Sequence, residues 1–123
     1  MIYNDKYEIV FYKDSFTGRE PVLDYIKSLN KKTRNKINKY IDLLEKSNGY
    51  LNEPYSRHII GKIRELRVDF DNSHHRIFYF SFVNKNIILL SAFMKRTNKT
   101  PPKEILKAER NYQDVINNLQ LYE

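Results

Sequence analysis

The sequence predicts an α+β domain: an antiparallel four-stranded sheet backed by an N-terminal helical hairpin, with a C-terminal helix. Three observations predict it. Between Ile63 and Met94, three runs of β-branched, aromatic and aliphatic residues are separated by polar breaks at Asp71-Asn72-Ser73 and Asn84-Lys85, the pattern of an antiparallel meander. Upstream, residues 21–30 and 31–47 carry apolar side chains at helical spacing,. A third helical stripe follows Pro101-Pro102.

Tyr7-Glu8-Ile9-Val10-Phe11-Tyr12 is strand-like and is expected to join the meander as its fourth strand,. Met1 to Asp5 lead straight into it with no signal-like run,. Pro21 suits the first turn of a helix, where its missing N–H is no loss, and Val22, Leu23, Ile26 and Leu29 form its apolar stripe. The second helix places Ile37, Tyr40, Ile41 and Leu44 on one face, with Gly49 as a stop,. Its outer face carries Lys31, Lys32, Arg34, Lys36 and Lys39, a solvated face that also attracts polyanions,. Residues 50–62 read as an irregular loop containing Tyr55, Arg57, His58 and Lys62. Thr100 is the expected N-cap of the last helix with Pro101 at N1, and Ile105, Ala108, Tyr112, Val115 or Ile116, and Leu119 form its stripe.

Two-residue loops at Asp71-Asn72 and Asn84-Lys85 fix a register, because a one-residue slip moves every side chain to the other face. That register puts Leu66, Val68, Phe70, Ile77, Tyr79, Ile88, Leu90, Ala92 and Met94 on one face. On the other, Phe78, Phe80, Phe82, Ile87 and Leu89 gather at one end and Arg67, Asp69, His74, Arg76 and Lys95 at the other. Arg67 falls opposite Arg76, with Phe93 beside Arg76 and Lys95 one step along. Like charges opposed on neighbouring strands disfavour the sheet, so the cluster points to an anion site. The competing account is that Arg67 pairs with Asp69 or Glu65 on a solvated rim, and a three-residue first loop would separate the pair altogether.

Composition narrows the function classes. The 123 residues suit one domain, residues 1–123, large enough to bury a core without staples,. Absence of cysteine removes thiol catalysis, disulfides and Cys-ligated zinc, and fits a reducing cytoplasm,. No apolar run is long enough to span a membrane. A formal charge of +7 with 14% aromatic content, all of it Tyr and Phe, suits RNA, whose bases stack on rings and whose phosphates attract cations.

Glu65-Leu66-Arg67, Arg76-Ile77-Phe78-Tyr79-Phe80, Ile88-Leu89-Leu90 with Ala92-Phe93, and Lys95-Arg96-Thr97-Asn98-Lys99-Thr100-Pro101 with Glu104-Ile105 and Ala108 resemble the HigB-like, phage-derived branch of the RelE/ParE toxin superfamily. The resemblance runs in order from Tyr7 to Tyr112. It implies a RelE-like fold and the toxin half of a type II toxin–antitoxin pair. RelE and HigB proteins are ribosome-dependent endoribonucleases that cut mRNA in the A site and inhibit translation, whereas ParE relatives poison DNA gyrase. The implied partners are mRNA, the ribosome and a helix-turn-helix antitoxin, with DNA reached only through that antitoxin and no cofactor required.

By that resemblance Arg67 and Arg76 stabilise charge on the scissile phosphate, and Lys95 or a neighbour moves a proton. Arg96 and Lys99 clamp RNA, and Lys62 and His74 are expected to extend the RNA site. His74 either titrates there or pairs with Asp69, while His75 points to the core. The chain lacks an evident match to the C-terminal tyrosine or histidine of several RelE-type enzymes, which leaves the general base open. The alternatives are a gyrase inhibitor without nuclease activity and a catalytically inactive antitoxin- or RNA-binding protein.

Overall fold

Short runs with a two-residue periodicity pair into a sheet, and the longer stripes cover it. In the computed structural model, which describes residues 6–81 and 85–122, the chain runs β1 (Glu8–Phe11), α1 (Pro21–Lys27), α2 (Lys31–Lys46), β2 (Ser56–Ile60), β3 (Ile63–Phe70), β4 (Ser73–Ser81), β5 (Asn86–Met94) and α3 (Pro102–Asn117), then a 3-10 turn at Leu119–Tyr122. The fold is mixed α+β. Its five-stranded sheet has the order β1-β5-β4-β3-β2.

That sheet differs from the expected four antiparallel strands in two ways. β1 pairs with β5 in parallel, Val10 opposite Ile88; α1 and α2 carry the chain from this edge of the sheet to the other, and β2, β3 and β4 bring it back to β5. The fifth strand, β2, lies in the stretch expected to be irregular and pairs antiparallel with β3, Arg57 opposite Glu65 and His58 opposite Arg64. The helix pair is therefore not N-terminal; it is inserted between β1 and β2. Pro21 occupies the first turn of α1, and the Asn30 side chain caps α2 by accepting from the Thr33 N–H at 2.9 Å,.

Asp71 and Asn72 both have positive φ, 52° and 61°, as a two-residue hairpin turn of the favoured hand requires. This turn sets Leu66 opposite Ile77, Arg67 opposite Arg76 and Phe70 opposite Ser73. Between β4 and β5 the expected register holds for Arg76–Phe93, Ile77–Ala92 and Phe78–Ser91, then shifts by one so that Tyr79 meets Leu89. The extra residue is a β-bulge, and it inverts parity on the turn side of it. Ile87 and Leu89 consequently join Leu66, Val68, Ile77 and Tyr79 beneath α1 and α2. Ile88 and Leu90 join Phe78, Phe80 and Phe93 beneath α3, the reverse of the expected assignment. Phe82 and Asn84 lie outside the described residues, as do Met1 to Asp5.

α3 covers the second face with Ala108, Val115, Ile105 and Tyr112. Pro101, not Thr100, is its N-cap, with Pro102 in the first turn and no side-chain cap. The Thr100 hydroxyl instead donates to Glu65 Oε2 at 3.2 Å, so the residue expected to cap the helix ties it to β3. Among the described residues no helix is long and apolar enough to cross a membrane.

Candidate nucleic-acid cleft

α3 packs on Phe78, Phe80, Ile88 and Leu90, and on the same face β3 and β4 also carry a group of charged residues, joined by those that leave β5. They line an open cleft of about 360 Å3 formed by Arg67, Asp69, His74, Arg76, Lys95, Arg96, Thr97 and Asn98. The alternation that puts Ile63 into the core under α3 also puts Glu65, Arg67 and Asp69 on this side of β3. β4 contributes Arg76, and the chain leaving β5 contributes Lys95 to Asn98.

The opposed arginines are held by one buried carboxylate. Glu65, 1% exposed, places Oε1 3.9 Å from Nε of both Arg67 and Arg76. Both Nε atoms are buried and hydrogen-bond nothing, so Glu65 offsets their charge without saturating their donors. The two guanidinium groups are not equivalent. Arg67 retains 24% side-chain exposure. Arg76 retains 3% and donates Nη1 to Asp69 Oδ1 at 2.7 Å and to the His75 carbonyl at 3.0 Å. Of the two arginines expected to share one role, Arg76 forms the floor of the cleft, already paired, and Arg67 is the accessible member.

Asp69 also accepts from His74 at 3.0 Å on the rim, the pairing expected as the alternative to a free histidine. Burial pulls the Asp69 carboxyl up, but hydrogen bonds from Arg76 and His74 outweigh it and hold it below the ordinary value,. Lys95 is partly buried, and its backbone N–H donates to the His74 carbonyl at 2.7 Å. Its ammonium is pulled below the ordinary lysine value by burial, then by Arg76, against Glu65, with Arg67 and Arg57 adding to the fall. An amine so placed gives up its proton more readily than a free lysine.

Arg96 lies in the cleft wall. Two other expected contributors do not reach it. Lys62 is exposed in the turn between β2 and β3, five residues along β3 from Arg67, about 16 Å at strand rise. Lys99 is also exposed and is not among the cleft-lining residues; its carbonyl accepts from the Thr97 hydroxyl at 2.8 Å. His75 is buried on the other face as expected, hydrogen-bonded through Nδ1 to the Tyr25 hydroxyl at 2.7 Å. Burial lowers its pKa and pushes the Tyr25 phenol up to about 12 against the opposing charge of Arg96.

Glu65 as the shared counter-ion, Thr100 as its anchor, and Arg57 as a further cation felt by Lys95 were not among the expected site residues. The pairing of Arg57 with Glu65 would have exposed the last of these, had β2 been legible as a strand. Among the described residues no cluster of His, Asp and Glu could hold a metal ion. The arrangement can bind an anion along Arg67, Lys95 and Arg96 and supply one proton-transferring amine. No protein of curated function matches the chain. Residues 24–113 match the family model described as Phage derived protein Gp49-like (DUF891).

Proposed function

The chain belongs to the Gp49-like phage-derived family, within the RelE/ParE-like toxin superfamily, and on that premise we propose that it is the toxin of a type II toxin–antitoxin pair and cleaves mRNA on the ribosome. The observation that carries this reading is the Arg67–Arg76 pair, opposed across β3 and β4 beside Lys95 in an open cleft. In the proposed reaction the ribose 2′-oxygen attacks the adjacent phosphorus, its bond to phosphorus forms, and the bond to the 5′-oxygen of the next nucleotide breaks. The phosphoryl oxygens gain negative charge on the way. Arg67 offers paired donors to those oxygens, and a guanidinium stays charged at any working pH.

Arg76 acts from beneath. Fixed by Asp69 and Glu65, it contributes a preorganised positive field without moving. Lys95, when neutral, takes the 2′-hydroxyl proton, and the same group or a water returns one to the leaving oxygen. Arg96 holds the flanking phosphate, and an antitoxin that covers this cleft would silence the protein.

The burial of Arg76 and its short contact to Asp69 favour a second reading, in which the cleft binds RNA or the antitoxin and does no chemistry. A reconstituted translation reaction with primer extension on the mRNA separates the two. Cuts that require ribosomes and disappear in Arg67→Ala support cleavage. Binding to RNA with intact message supports the second reading, and inhibited supercoiling with intact message would favour a gyrase target instead.

A further inference from the structure

Outside the cleft, the most concentrated unassigned feature is a strip of aromatic rings between α2 and the β2 edge of the sheet. Lys36 Nζ lies 5.6 Å from the Phe70 ring centroid and 5.7 Å from that of Tyr40. The Tyr40 ring meets Tyr55 edge-on at 6.0 Å and 60°. The Arg64 guanidinium sits 5.0 Å from the centroid of Tyr50. Arg64 and Phe70 share one face of β3 six residues apart, so the strip is about 20 Å long.

Tyr40 packs against the core, but Tyr50 and Tyr55 do not belong to it. The hairpin face is already filled by Leu44, Leu66, Val68 and Tyr79, all fully buried, while Tyr50 is 60% and Tyr55 50% exposed. Each ring contacts a cation or another ring, which fixes its plane and leaves area facing water. Fixed rings interleaved with cations are the chemistry that receives unpaired bases: the rings stack on any base, and the cations draw the phosphates.

We propose that this strip is a stacking platform for single-stranded RNA, so that a strand held at Arg67 rounds the β2 edge of the sheet at Tyr55 and continues to Tyr50. The platform rests on the RNA-directed reading of the cleft. It is joined to the cleft by backbone: the Arg67 N–H donates to the Tyr55 carbonyl at 2.9 Å. Consecutive residues of β3 face opposite ways, so the strip lies on the α2 face and the cleft on the α3 face, and Tyr55, which immediately precedes the edge strand β2, is where the two meet. Stacking is indifferent to base identity, so the platform adds affinity without adding sequence preference.

The test uses the full chain and fluorescence anisotropy with a mixed-sequence RNA of about 12 nucleotides, a length within the range of known stacking sites, its riboses 2′-O-methylated to prevent cleavage. The same sequence as a duplex and a trinucleotide that fills only the cleft serve as comparisons. Replacing Tyr50 and Tyr55 together by Ala is expected to weaken binding of the long single strand by about 10-fold or more, the loss of at least one stacked base. Replacing both by Phe keeps the rings and restores affinity, and the trinucleotide and duplex do not respond to either change. Long-strand affinity within twofold of wild type in the Ala pair, or no recovery in the Phe pair, overturns the platform. Trinucleotide binding that is lost in Arg67→Ala while the tyrosines have no effect sinks the platform alone. Tyrosine dependence with no Arg67 dependence sinks the cleft reading alone.

Discussion

Arg67 and Arg76 stand directly opposite each other on β3 and β4, and the Glu65 carboxylate reaches to 3.9 Å of both. Two like charges at this spacing oppose the sheet unless a counter-charge lies between them, and Glu65 is that counter-charge, held in turn by Thr100. Glu65→Gln keeps the shape and removes the charge. Stability should fall by roughly 3 kcal/mol, the low end for breaking a buried pair because Arg67 remains partly hydrated. RNA affinity should rise, since the arginines are left uncompensated. Urea unfolding and anisotropy titration measure the two effects, and a variant that is both as stable and as weakly binding as wild type contradicts the assignment.

The two arginines should separate when mutated singly. Arg67→Ala removes an accessible group and is expected to cut message cleavage at least tenfold with a melting temperature close to wild type. Arg76→Ala empties a site that is 3% exposed and strands Asp69 and Glu65, so it should lose both activity and about 3 kcal/mol of stability. Equal melting temperatures for the two variants would show that Arg76 is not the structural member.

This asymmetry marks how far the sequence could be read. The Arg67–Arg76 pairing was legible because Asp71-Asn72 imposes a two-residue turn, and the turn fixes parity for the strands it joins. Burial of Arg76 was not, since it depends on where α3 stops and on Thr100 reaching back to Glu65. The bulge escaped because Ile87-Ile88-Leu89-Leu90 is apolar at every position, so either parity satisfies both faces. β2 escaped because an edge strand with Arg57, His58 and Ile60 exposed has no need to alternate. The parallel pairing of β1 carries no local signal, since four residues pair equally well in either direction.

Acid should loosen the cleft before the rest of the molecule. The Asp69 carboxyl is held below its ordinary value by Arg76 and His74, against the effect of burial. A carboxylate lowered on folding contributes stability above its unfolded pKa, near 3.8, and loses it as pH falls through the lower folded value. Asp69→Asn should therefore flatten the decline in melting temperature between about pH 5 and pH 2. An unchanged acid limb would mean that the contact is not maintained in solution.

Gly49 shows what the packing tolerates far from the cleft. It terminates α2 with φ 82°, its N–H donating to the Leu44 carbonyl at 2.9 Å, as a left-handed C-terminal cap does. A Cβ there would strike the Ser81 hydroxyl and lie 3.3 Å from Ile87 Cγ1. Gly49→Ala should destabilise by about 1–3 kcal/mol, from the positive φ and the crowding together. A urea midpoint unchanged from wild type would show that the α2–β5 junction repacks freely.

Lys95 decides whether the cleft does chemistry. Its ammonium is destabilised by burial and by Arg76, Arg67 and Arg57, against Glu65, so its neutral fraction at any pH below the ordinary lysine range exceeds that of a free lysine. If the neutral amine accepts the 2′-hydroxyl proton, single-turnover cleavage must rise with pH toward that lowered pKa and level off above it. Lys95→Arg preserves the charge but cannot deprotonate; cleavage should drop by about 100-fold or more, the usual worth of a proton-transferring group, with RNA affinity retained. Glu65→Gln removes a group that favours charged Lys95 and should move the profile to lower pH. A rate independent of pH in wild type, or full activity in Lys95→Arg, would assign the proton to another group and leave Lys95 as a phosphate clamp.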